Sequence, residues 1–274
     1  MSSPDEVTYG RGARLRVAMA ALAAEISGTA REMVATYRDG GTRPGERAGE
    51  AASLVADARQ LLSFAIAYER HRGTSWEEVA GWLSPIGLNS PPAALAEYGD
   101  TVKRLDDMLT ECWLLGDDPK FPGAPEGTAD TARAAGRLDG WVAGRLTDHE
   151  QLAHKAPDDP DRLFPVSGRL EPLDTAEHSS SLTAAAGLIA ERRRQYGPDD
   201  PSARYLELGL ARRGVELYEH MLADELAGKG TGTPADQLRA LLVGAQARLA
   251  ELEAARRPDE RLANPRGARC YCPR

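Results

Sequence analysis

The run His149-Glu150-Gln151-Leu152-Ala153-His154 sets two imidazoles around a glutamate, the ingredients of a helical zinc-hydrolase site. That chemistry needs histidines four residues apart, so that both reach one ion from a single helix face. Here they stand five apart, and on a helix of 3.6 residues per turn the rings diverge by roughly 140°. The run reads as a polar helix end. Cys270-Tyr271-Cys272 offers two thiols to a soft metal or an oxidant. Structural zinc sites space cysteines by two to four residues and add two more ligands, and no such second pair exists. Asp158, Asp159 and Asp161 begin like a calcium loop but lack its glycine and closing glutamate. Gly228-Lys229-Gly230-Thr231 lacks the upstream glycine and strand of a phosphate-binding loop and reads as a hinge. Ser179-Ser180-Ser181 looks like a helix start, and no serine or histidine sits in a nucleophile pattern. The sequence predicts no enzyme, no cofactor and no metal.

What remains is contact chemistry. Arg59, Arg70 and Arg72 could touch phosphates, although a solvated face is the commoner reading of such residues, and Ser90 and Glu97 flank a short helical run nearby. These five are the candidate contact residues for DNA or a protein partner. The elements that must position them lie between Leu54 and Gly99. Leu54, Ala58, Leu61, Ala65 and Tyr68 recur at helical steps, with Leu62 and Ile66 widening the stripe. Gly73 stops that helix. Thr74 and Ser75 stand three residues before Glu77 and Glu78, so either pair can form a capping box. Trp76, Val79, Ala80 and Leu83 make one apolar face of the next helix. Ser90-Pro91 opens a third, on which Leu95 and Tyr98 share a face and which Gly99 closes. Helix, corner, helix, break, helix is the layout of a helix-turn-helix unit.

The run AIAYERHRGTSWEEVAGWL, followed by AALAEYG, resembles the sigma-region-4-like helix-turn-helix of small actinobacterial proteins. The resemblance covers about 45 of the 274 residues, with Trp76-Glu77-Glu78-Val79 its most specific part. It implies a DNA-associated regulatory protein. The departure lies where DNA would be read: six residues, Ser84 to Asn89, replace the usual tight turn of three or four. The run from Ser90 to Tyr98 holds no Arg, Lys, Asn or Gln, although direct readout needs such side chains at base edges and affinity needs cations on phosphates. The expected function is a non-enzymatic regulator with a degenerate helix-turn-helix, DNA-associated through its N-terminal region. The alternative is a helical interaction or scaffold protein that does not bind DNA. Trp76→Ala should cost about 3–5 kcal/mol if that ring is core.

Composition bounds the rest. Net charge is −8 with a pI near 5.3, which argues against a general nucleic-acid coat. Aromatics are 5% of residues, so alanine and leucine must supply the packing. Three cysteines cannot build a disulfide framework, and no apolar run reaches the ~18 residues of a membrane span. Val17 to Ala24 faintly imitates a signal peptide, but its apolar core is short and acids precede it. A cytoplasmic location is expected, with weakly held duplex DNA and a protein partner or further copies of the chain as partners, and no membrane.

Along the chain, a first helix is expected over 12–38 and a linker over 39–49. A helix from Asp100 carries Val102, Leu105, Leu109, Cys112 and Trp113, with Cys112 a buried small side chain. The Pro- and Gly-rich run 117–127 separates an N-terminal helical region, 1–116, from a C-terminal helical bundle, 128–256. In that bundle Asp174 and Glu177 cap one helix. Another, from Pro201 to Ala227, carries two apolar rows and should be central. Gly228 to Gly232 is a flexible joint before a last helix from Thr233. The tail 257–274 lacks apolar periodicity and is expected to be disordered. The fold class is all-α.

Overall fold

The computed structural model describes residues 8–34, 41, 43–115, 127–128, 130–145 and 164–255. The end of the expected first helix, nearly all of the 117–127 run, the His149–His154 run, the Asp158–Asp161 group, both terminal cysteines and the tail lie outside them. Among the described residues the chain is all-α. Eight helices follow one another: α1 Arg11–Met33, α2 Glu46–His71, α3 Trp76–Leu83, α4 Pro91–Leu115, α5 Thr131–Ala143, α6 Thr175–Tyr196, α7 Pro201–Leu226 and α8 Ala235–Ala254. No described helix is long and apolar enough to cross a membrane.

Two compact units share these helices. Of the described residues, the first contains those within 11–109, 127–145 and 164–171, and the second contains 8–10, 110–115 and 172–255. α4 contributes to both. In the first unit, Leu15, Ala18 and Leu22 of α1 meet Phe64, Ile66 and Ala67 of α2, together with Val79, Ala80 and Leu83 of α3. Phe64 is 1% exposed, and burial of a ring that size is worth about 1.5–3 kcal/mol. The expected stripe on α2 is rotated. Ala58 is exposed and Leu54 only half-buried, while Phe64 and Ala67 turn fully inward. Apolar residues line more than half of α2's circumference, so the period alone does not fix which flank turns in.

α5, expected among the C-terminal helices, packs against α1 through Ala134, Ala135 and Leu138 on Val17 and Ala21. Buried Asp139 fastens the segment that follows, accepting hydrogen bonds from the backbone of Val166 at 2.7 Å and of Ser167 at 3.2 Å.

α4 corrects a second expectation. It runs unbroken from Pro91 to Leu115, so Gly99 ends nothing and the helix expected from Asp100 is its continuation. A helical glycine costs only about 1 kcal/mol relative to alanine. The row Ala94, Tyr98, Val102, Leu105, Leu109 carries one register straight through it onto the core. Leu95, expected on the packed face, is half exposed; Ala94 is the residue that is buried.

In the second unit α7 packs against both α6 and α8, as its two apolar rows require. Asp174 caps α6 by accepting from Glu177 N at 2.7 Å, and Asp200 caps α7 by accepting from Ala203 N at 3.1 Å. Trp113 and Leu114, on the last turns of α4, join Ala185, Ile189, Ala203 and Leu206 in this unit's core. The expected joint at Gly228–Gly232 is a fastened turn. Thr231 N donates to the Glu225 carboxylate at 2.9 Å, and Lys229 pairs with Asp224 at 2.8 Å. Residues 8–10 are strapped to the start of α6 by a bridge between Tyr9 and Pro172 and by Leu173 N donating to Thr8 O at 2.9 Å.

Candidate functional site

The corner formed by α2, α3 and α4 is built from its caps outward. Ser75 precedes α3 with an extended backbone, and its hydroxyl accepts from Glu78 N at 3.2 Å. Glu78 closes the box by accepting from Ser75 N at 2.7 Å, and those bonds hold its carboxyl below the ordinary glutamate range. Of the two pairs the sequence allows, this is the one formed; the Thr74 hydroxyl instead donates to Glu69 at 3.0 Å. After α3, residues 84–86 make one 3-10 turn, and Gly87 takes φ +85°, a left-handed conformation that favours glycine. The long corner is therefore an ordered turn with Leu88 N donating back to Leu83 O at 3.3 Å.

Trp76 packs against the core cluster and is half-buried. Its outward side faces Arg70, whose guanidinium lies 5.2 Å from the ring centroid and also donates to Thr74 O. Beside it opens a cleft of about 560 Å3, lined by Arg11, Arg70, His71, Trp76, Lys103 and Asp106 among others. Burial raises the Asp106 carboxyl above the ordinary aspartate range, against the pull of Arg11 and His71. Arg11 is 3.4 Å from Asp106, and Lys103 is 3.5 Å from Asp107. The basic groups that line the cleft thus have acids of the chain itself beside them.

The five residues picked from sequence do not converge. Arg70 alone of them lines the cleft. Arg72 stacks 5.6 Å over the Tyr68 ring and pairs with Glu69 at 3.6 Å. Arg59 and Glu97 are exposed, on α2 and α4. Ser90 is half-buried, and its carbonyl accepts from Ala94 N at 3.0 Å as α4 begins. Sequence reasoning missed Lys103 and Arg104, which are exposed on the same helix as the Ser90–Tyr98 run. Closing that helix at Gly99 hid them. It also passed over three exposed apolar side chains, Trp82 at 85%, Ile86 at 56% and Leu95 at 50%.

Among the described residues no group of three His, Cys, Asp or Glu is placed to hold a metal ion. No family model, no curated protein and no solved structure matches the chain.

Proposed function

We propose that the chain is a non-enzymatic regulatory protein whose α2–α3–α4 corner is a reduced helix-turn-helix that works through a protein partner. The observation that carries this is the exposure of large apolar side chains on the corner. Trp82 is exposed on α3, Ile86 on the turn that follows it and Leu95 on α4, where Pro91, Pro92 and Ala96 are exposed as well. Tryptophan is among the side chains enriched at the hot spots of protein interfaces, and a ring left 85% exposed supports a contact role for this corner. Phosphates would meet few cations on the opening turns of α4, where the exposed charges are Glu97 and Asp100.

The test is the oligomeric state of the full chain by light scattering over a wide concentration range, beside Trp82→Ser. Association that weakens in the variant supports the reading. A monomer throughout, indistinguishable from the variant, contradicts it. Exposed Lys103 and Arg104 favour a second reading, weak and sequence-independent contact with duplex DNA. That reading predicts binding at low salt that fades as salt rises and weakens on replacing both residues by alanine.

A further inference from the structure

His178 lies on α6 in the core of the second unit, 2% exposed. Its ring meets Trp113 edge to face, with centroids 5.4 Å apart and planes at 81°. One ring nitrogen is engaged by the Arg213 backbone on α7. The other, Nε2, is buried with no hydrogen-bond partner, as is the indole Nε1 of Trp113. Arg213 completes the cluster. Its Nε donates to Trp113 O at 2.9 Å, and its guanidinium lies 5.6 Å from the Trp113 ring. One imidazole therefore sits where α6, α7 and the last turns of α4 meet.

We propose that His178 is an acid-sensitive latch of this unit: neutral, it holds α6 against α7 and the end of α4, and protonated, it lets them part. The neutral ring uses one N–H toward the Arg213 backbone and keeps a bare lone pair on Nε2. Protonation puts a second N–H on Nε2, where no acceptor waits, and a full positive charge in a space from which water is excluded. The charged groups facing it do not rescue that state. On α7, Arg213 and His220 oppose a cation; Glu216 favours one but is already paired with Arg213 at 2.7 Å. On α4, Glu111 is ion-paired with Arg192 of α6. On α6 itself, Glu177 is turned onto Gly10 of the N-terminal strap.

Burial accordingly holds the imidazole below its ordinary value near 6.5. The unfolded chain then binds a proton more readily than the folded one. Stability is complete above about pH 6.5 and is lost as pH falls from there to the folded value, by about tenfold in the opening constant per pH unit.

The experiment uses the full chain. Hydrogen exchange at the Trp113 indole N–H, corrected for its intrinsic pH dependence, is followed by NMR from pH 7.5 to 5, alongside the titration of His178. The latch predicts a His178 midpoint below 6.5 and exchange that accelerates over the same window, and a His178→Phe chain whose exchange no longer follows pH there. A His178 midpoint at or above 6.5, or wild-type acceleration retained in His178→Phe, overturns it. If His178→Phe does not fold, the wild-type titration decides alone: pH-independent exchange of Trp113 rejects the latch.

Discussion

Trp76 serves packing and surface with one ring. Its inner edge rests on the core and its outer face carries Arg70, so truncation removes less buried area than a fully enclosed tryptophan would. The half-burial lowers the expected loss for Trp76→Ala to about 2–3 kcal/mol, read as a shift in the denaturant midpoint. A loss below about 1 kcal/mol would show that Val79, Ala80 and Leu83 hold α3 without it. Trp82 is the opposite case: 85% exposed, it should tolerate Ser within about 0.5 kcal/mol, which makes it a clean probe of association. Spacing made Trp76 readable in advance, because it falls on the 79–80–83 face; Trp82 falls off that face and was passed over. His178 was equally readable yet passed over. With Leu182, Ala185 and Ile189 it follows helical steps of four, three and four, a buried position, but a search for nucleophile patterns does not ask what a lone histidine does inside a core.

At the scale of elements, helix boundaries followed their caps. Ser75, Asp174 and Asp200 each bond the backbone ahead of them, and the chemistry of such caps is local enough to see in sequence. Gly99 misled because glycine stops a helix only when the chain beyond it lacks a matching apolar register. The partner chosen by each helix was less visible. An apolar face states that something covers it, not which helix does, and α5 on α1 illustrates this. Close packing gives a prediction of opposite signs for one substitution. On α7, a Cβ at Gly209 would stand 2.4 Å from the carbonyl oxygen of Leu114, so Gly209→Ala must push α4's end away. On α6, Gly187 has nothing within 4 Å. Gly209→Ala should destabilise by about 1–3 kcal/mol, whereas Gly187→Ala should stabilise by about 0.5–1 kcal/mol. Thermal melts of the two variants check both, and equal shifts would contradict the α4–α7 contact.

The whole molecule is acidic, with a net charge of −8, and among the described residues many surface ion pairs form, between helices as in Arg212–Glu253 at 2.9 Å or within one as in Arg248–Glu251 at 3.0 Å. Exposed pairs of this kind add little stability each, but they place acids of the chain beside cations that would otherwise meet a polyanion. A corner whose Ser90–Tyr98 run holds no Arg, Lys, Asn or Gln should not read bases. The most direct test is fluorescence anisotropy of the full chain against two unrelated duplexes at about 50 mM and 200 mM salt. No preference between the duplexes is predicted: any binding at low salt is equal for both and fades to nothing at the higher salt. A preference of tenfold or more for one duplex, persisting at the higher salt, would contradict it.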